Sequence, residues 1–249
     1  MSKIAAASRD DKERIHVHAR RLCRGKRFTL VEVFGKLVSM ISLLLGLGNI
    51  GKKYIGTRHN LGFELLDRVA IKLGLEERRR SELFDWGEVV VRPSTSLGTA
   101  GGEVEREIGR LVLAWPRTYV NCSGDAAIKL LDDNQIAPSD MLVLVDDFNL
   151  PLGALRFRVN GSDGGHNGLA SLIESLGTEE FPRLRMGIGP VDKSMDIVDY
   201  VLSKFTAPER KSADAMLDRA VEAVLFAIDH RLEEAMSKYN YNPAPPESA

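Results

Sequence analysis

At 249 residues, 44% of them hydrophobic and 28% charged, the chain has the composition of a globular protein that buries one sizeable core, which excludes a disordered or fibrous one. No apolar run approaches the ~18 residues that span a bilayer. The basic N-terminus lacks the apolar segment of a signal peptide, so a cytoplasmic chain without membrane contact is expected. The two cysteines, Cys23 and Cys122, provide neither a disulfide framework nor metal-ligand spacing. Residues 1–39 hold ten basic and four acidic residues, net +6, while the remaining 24 basic and 31 acidic give net −7. Any nucleic-acid contact in the main domain therefore has to be local.

Residues 1–39 read as a basic, poorly ordered N-terminal extension: an RNA-binding or targeting arm, a solvated extension, or residues upstream of a true start at Met40. Within it, His16 and His18 would hold a metal only with ligands from elsewhere. The folded domain is expected over 40–240. It opens on a buried strand at 41–46, bounded by Gly46. Phe63, Leu66, Ala70 and Leu73 fall at helical spacing, and Gly74 stops that helix. Strands are expected at 86–92 and 108–115 around a Ser/Thr/Gly-rich loop, then a helix over 124–134 and an apolar strand from Met141 ending in Asp146 and Asp147. A short strand at 154–159 precedes a helix with Leu169, Leu172, Ile173 and Leu176 on one face, stopped by Gly177. After a strand at 184–189, Thr206 and Glu209 form a capping box with Pro208 in the first turn. The helix they start buries Ala213, Met216, Leu217, Ala220, Val224 and Ile228. Residues 241–249, rich in proline, are expected to be a disordered tail. Strands alternating with helices give an α/β class: a single-domain three-layer sandwich, one mixed twisted sheet with helices on both faces.

Gly46-Leu47-Gly48-Asn49-Ile50-Gly51 matches the GxGxxG pattern directly after a strand. Its context argues against a dinucleotide site. Such a site needs a helix to begin at the turn so that its amides face the pyrophosphate, but residues 52–57 intervene; Glu64 and Asp67, about 20 residues on, fall inside a helix. More telling are polar residues at strand and loop ends: Asn49, His59 and Asn60, Asn121, Asp146, His166 and Asn167. Singly, each is ordinary turn or cap chemistry. Together they lie where open α/β sheets gather ligands, and a histidine with a carboxylate partner is a competent general base. No GxSxG elbow marks a serine nucleophile. Arginines alternate with apolar residues in Arg156/Arg158 and Arg183/Arg185, so each pair shares a sheet face, either as a fork for one phosphate or as a solvated face.

The blocks GLGNIGKKYIGTRHNLGFELLD, WPRTYVNCSG, VDDFNLPLGALRFR, GSDGGHNGL and FPRLRMGIG, in collinear order over about 41–240, resemble the bacterial-type peptidyl-tRNA hydrolase family. The resemblance implies hydrolysis of the ester joining a peptide to the 3′-terminal ribose of tRNA, which recycles peptidyl-tRNA that has dropped off ribosomes. It implies a monomer with neither metal nor cofactor. His59 is then the catalytic base, Asp146 its partner, and Asn49 the residue that recognises the peptide beside the ester. Asn121 and Asn167 position substrate and water. Tyr54 and Tyr119 meet the tRNA 3′ end, while Arg156, Arg158 and Arg185 meet the 5′ phosphate and acceptor stem. Ile50, Val120 and Val145 depart from the family's usual proline, methionine and histidine, and Val120 narrows a wall that bears on peptide preference. A non-catalytic RNA-binding protein, like the plant chloroplast splicing factors that share this fold, is the alternative. The joint presence of Asn49, His59, Asn121, Asp146 and Asn167 weighs against it, and a nicotinamide-dependent oxidoreductase is more distant still.

Overall fold

The computed structural model describes residues 41–91, 109–191 and 194–243. The expectations for residues 1–39, for the loop at 93–102 and for the chain beyond residue 243 lie outside these. Seven strands form one sheet: β1 (Leu43–Gly46), β2 (Arg79–Arg80), β3 (Phe84–Val91), β4 (Gly109–Pro116), β5 (Met141–Pro151), β6 (Leu155–Arg158) and β7 (Arg183–Gly189). Among the described residues, six helices accompany them: α1 (Leu61–Lys72), α2 (Ser123–Asn134), α3 (Asn167–Leu176), α4 (Ile197–Leu202), α5 (Ala207–Asp229) and α6 (Leu232–Tyr239). The strand order is β2-β3-β4-β1-β5-β7-β6. The central four are parallel, and β2, β3 and β6 add antiparallel edges. After β1 the chain builds one side of the sheet as far as β4, then crosses back to β5. The carboxyl end of β1 therefore lies at a topological switch point, where α/β sheets open a crevice.

Alternation within the strands divides the core in two. Leu44, Leu142, Leu144, Leu184 and Met186 face a layer made by α1, α5 and α6, whereas Leu43, Leu45, Val143 and Val145 face α2 and α3. The expected face of α5 is buried from Ala213 to Ile228. The capping box forms as read: the Glu209 carboxylate accepts from the Thr206 backbone N–H at 2.7 Å and its hydroxyl at 2.8 Å. No described helix is long and apolar enough to cross a membrane.

Three elements are too short for an apolar period to stand out along the chain: the exposed pair of arginines in β2, the six-residue α4 capped by Asp196, and the eight-residue α6. Strand β5 continues past Asp147 to Pro151. Towards the C-terminal end, Tyr241 exchanges both backbone hydrogen bonds with Leu155, at 2.9 and 2.8 Å, so this residue, expected in a disordered tail, is paired with β6.

The stripe expected on α1 is displaced. Its buried residues are Leu61, Gly62, Leu65, Leu66, Val69 and Ala70, with Phe63 and Leu73 on the flanks. The cause is Gly62, which carries no hydrophobic signal yet makes the closest approach to the sheet. A Cβ there would lie 2.3 Å from the Leu144 carbonyl oxygen and 2.5 Å from that of Leu47, both rigid backbone. Gly62→Ala is therefore expected to destabilise the fold by about 2–3 kcal/mol in urea denaturation. A loss below about 0.5 kcal/mol would show that α1 slides off β1 without cost.

Candidate active site

The crevice at the ends of β1 and β5 is built from short turns. Residues Arg58–Asn60 form a single 3₁₀ turn leading into α1, and this turn presents His59 to Asp146, 87 residues away on β5. Nδ1 of His59 lies 3.0 Å from both oxygens of Asp146. A second imidazole meets the same carboxylate, His166 Nε2 at 3.1 Å from Oδ1. All three side chains are buried, and the rings are 4.6 Å apart.

Hydrogen bonding assigns the protons. His166 is the N-cap of α3, and its Nδ1 accepts from the backbone N–H groups of Gly168 and Leu169 at 3.0 and 3.2 Å. Its proton is therefore on Nε2 and is donated to Asp146. Both ring nitrogens of His166 are committed, which removes it as a base. His59 donates Nδ1–H to the same carboxylate and is left with the lone pair of Nε2, the atom a general base needs. Burial pulls the His59 imidazole down, but the charge of Asp146 and their hydrogen bond outweigh it and raise it above its ordinary value of 6.5. Burial pushes the Asp146 carboxyl up; the two imidazoles win, holding it well below the usual carboxylate range.

The ligand atoms of His59, Asp146 and His166 lie within 4.8 Å of one another, close enough to consider a cation. Each of their short contacts is accounted for by an N–H donated to the carboxylate. The GxGxxG segment likewise serves packing: α1 begins only at Leu61, and a Cβ on Gly46 or Gly48 would strike Gly62 or the Phe63 ring.

Asn49 is buried, and its Oδ1 accepts from the Val120 N–H at 3.0 Å. Asn60 clamps the Asn49 backbone with two bonds, accepting from its N–H at 2.9 Å and donating to its carbonyl at 3.0 Å. The Asn49 Nδ2 group has no hydrogen-bond partner among the described residues. Of the three departures, Ile50 is exposed beside Asn49, while Val120 and Val145 are buried in the core. Asn121 lies exposed on the turn Val120–Cys122, which packs against α3, and Asn167 lies exposed at the first position of α3. Tyr119 is 55% exposed, and its ring meets Tyr54 edge to face at 6.4 Å.

The two arginine pairs share one face, because Arg156 opposes Arg185 and Arg158 opposes Arg183 across β6 and β7. Their fates differ. Arg183 is fully buried and spends its guanidinium on the carbonyls of Glu179, Gly161, Ser162 and Phe181. Burial, with Arg185 beside it, pushes it down to about 10. The fork suggested for Arg183 and Arg185 is therefore not formed. Arg185 pairs with Asp147 at 2.8 Å and lies against Gly164. Arg156 and Arg158 have no polar partner among the described residues. Gly164 and Gly165, at φ 61° and 85°, make the bend that brings His166 under Asp146, a conformation glycine adopts without strain.

Sequence reasoning noted His166 without assigning it a task; its signal, GGHN before a helix, marks an N-cap but not the partner of the ring's far nitrogen. It gave no role to Arg58.

Comparison with known proteins places the chain in a family. The peptidyl-tRNA hydrolase family model matches residues 43–247. A peptidyl-tRNA hydrolase of Sulfurihydrogenibium sp. (strain YO3AOP1) is 41% identical over 203 residues, 82% of this chain and 99% of that protein. One from Aquifex aeolicus is 39% identical over 203 residues, covering 80% and 96%. The crystal structure of peptidyl-tRNA hydrolase from Acinetobacter baumannii superposes with a TM-score of 0.70 at 31% identity, covering 83% of this chain and 98% of that one.

Proposed function

The chain belongs to the peptidyl-tRNA hydrolase family, and on that premise we propose that it cleaves the ester between a peptide and the 3′-terminal ribose of tRNA with His59 as general base. The observation that carries this reading is the unshared Nε2 of His59, held by an Nδ1–H bond to a buried carboxylate whose other imidazole partner cannot act as base. Nε2 takes a proton from water as its oxygen attacks the ester carbonyl carbon. The carbonyl oxygen becomes an oxyanion, the bond to the ribose oxygen breaks, and the imidazolium returns the proton to that oxygen. Asp146 stabilises the imidazolium between the two steps. Asn49, oriented by Val120 and Asn60, offers Nδ2 to a carbonyl of the peptide beside the ester. Asn121 and Asn167 position substrate and water.

On the tRNA side, Tyr54 and Tyr119 supply rings for the single-stranded 3′ end. Arg156 and Arg158, aided by Arg185, take the 5′ phosphate and the acceptor stem, a local cationic site on an anionic domain. The catalytic domain spans residues 40–240; the family match over residues 43–247 supports its start and runs past its end, and residues 1–39 precede it. The enzyme acts as a monomer in the cytoplasm, where its substrate arises.

The test is release of free tRNA from N-acetyl-aminoacyl-tRNA beside the unblocked aminoacyl-tRNA. Rapid hydrolysis of only the blocked ester is the expected result, and tRNA binding without hydrolysis would replace the proposal by a binding protein. Replacing Arg156 and Arg158 together by alanine is expected to raise KM about tenfold at low salt and to change kcat less than twofold, because remote phosphate contacts bind ground and transition states alike. The salt dependence of KM should flatten with it. An equal fall in kcat would move these arginines into the chemistry.

A further inference from the structure

We propose that Glu209 is a positioning residue for the catalytic base, acting through Arg58 to hold the 3₁₀ turn that presents His59. The inference rests on His59 being the base. A three-residue 3₁₀ turn has poor internal hydrogen bonding and needs outside anchors. Here its three consecutive side chains go to three different elements: Asn60 to the loop after β1, His59 to Asp146 on β5, and Arg58 to the segment between α4 and α5.

The Arg58 anchor is the most extensive. Its guanidinium donates to Ser203 Oγ at 2.6 Å and the Lys204 carbonyl at 2.7 Å through one terminal nitrogen. The other terminal nitrogen reaches both carboxylate oxygens of Glu209, at 2.7 and 2.8 Å. Its central carbon lies 4.4 Å from the Tyr200 ring centre and 4.8 Å from that of Phe205. The backbone joins in, because Arg58 N–H donates to the Ser203 carbonyl at 3.0 Å and Thr57 pairs with Lys204 as an isolated antiparallel bridge.

Glu209 is itself fixed, since one of its oxygens also accepts from the Thr206 backbone N–H, its bond in the α5 capping box, and from the Thr206 hydroxyl. A capping box alone needs no arginine. The next residue, Arg210, is engaged with Glu64 and Asp214, so Arg58 is the cation that meets this carboxylate. The Arg58 side chain is 5% exposed, and a buried guanidinium that loses its carboxylate will shift to recover solvent or another acceptor. His59, the adjoining residue, shifts with it. Small displacements of a general base cost rate far more than they cost binding.

The experiment compares full-length wild type with Glu209→Gln, Thr206→Ala, Ser203→Ala and His59→Ala, using N-acetyl-aminoacyl-tRNA as substrate, thermal melting, and ¹⁵N NMR of the His59 ring. Glu209→Gln is expected to lower kcat about 10–100-fold with KM within twofold, and to broaden or shift the His59 Nδ1 signal. Thr206→Ala removes only the hydroxyl bond to the same carboxylate and leaves the backbone N–H and Arg58 to hold it. It should lower the melting temperature comparably and leave kcat within twofold. If Glu209→Gln does not fold, Ser203→Ala carries the test, with an expected severalfold loss in kcat and an unchanged KM. Unchanged kcat and an unmoved His59 signal in Glu209→Gln, or equal kcat losses in Glu209→Gln and Thr206→Ala, would overturn the proposal. An active His59→Ala would instead remove the base assignment, whereas an inactive His59→Ala beside a normal Glu209→Gln would remove only the strut.

Discussion

His59→Ala is expected to lose about 10²–10⁴-fold in kcat, the range that general-base catalysis contributes, while its affinity for tRNA stays within about twofold. The two parameters separate because His59 contributes one buried nitrogen to the chemistry, whereas the proposed tRNA contacts, Tyr54, Tyr119, Arg156 and Arg158, lie on other elements. No neighbour can replace it. The only other histidine in contact with Asp146 among the described residues, His166, has its Nδ1 tied to the start of α3 and its Nε2–H given to Asp146. Retention of more than about a tenth of wild-type kcat would mean that water is activated elsewhere in the crevice.

Asp146 gives the second large effect, and the structure orders two substitutions that sequence alone would treat alike. In Asp146→Ala the His59 Nδ1–H loses its acceptor but the ring keeps the choice of tautomer, and the expected loss is roughly 10²-fold, smaller than at His59. Asp146→Asn should be worse, about 10³–10⁴-fold, like the loss in serine proteases when the triad aspartate becomes asparagine. The reason lies in His166. Its tautomer is fixed by α3, so it must donate, and it donates to Oδ1. Asparagine will keep an oxygen there and place its NH₂ where Oδ2 faced His59 alone. That NH₂ turns His59 Nδ1 into an acceptor, moves the ring proton to Nε2 and removes the base. If the alanine variant proves slower than the asparagine variant, this assignment of protons is wrong.

The same pair sets the pH dependence. Activity follows neutral His59, whose folded value lies above 6.5, so kcat/KM should rise with pH through a midpoint above 6.5. In Asp146→Ala the two effects that raise the imidazole are gone and burial, which lowers it, remains. The acid limb is therefore expected to move below 6.5 even as the plateau falls. Asp146 cannot cause the limb itself. Its carboxyl is held below 3.8 in the folded state and stays ionised throughout such an assay, and its contribution to stability is lost only as pH falls through that depressed value. An acid limb unmoved by Asp146→Ala would assign it to another group.

Much of this was open to reading along the chain. The faces of α3 and α5, the capping box at Thr206 and the apolar strand at Met141 follow from periodicity and cap chemistry, which act over a few residues and leave local marks. His59 and Asp146 came from the resemblance carried by the TRHN and VDDFNLP blocks, and the structure places them in contact. The misses have local causes too. Gly62 sits at the centre of the buried face of α1 but contributes no apolar side chain, and β2 and α4 are too short for a period to show.

Pattern along the chain assigns a residue to a side of its element; it carries no information on which distant group that side will meet. Arg183 and Arg185 stand two residues apart on the same face of β7, yet one is buried among the carbonyls of Gly161, Ser162, Glu179 and Phe181 and the other reaches Asp147. His166 reads as a helix cap, and it is one. Its further part, donating to the carboxylate that holds the base, arises only when α3 is packed beside β5. Arg58 and Glu209 stand 151 residues apart, and each looks locally complete, one as the start of a 3₁₀ turn and the other as half of a capping box. Their ion pair exists because the sheet brings α1 and α5 to the same face, where a buried guanidinium must find its counter-charge.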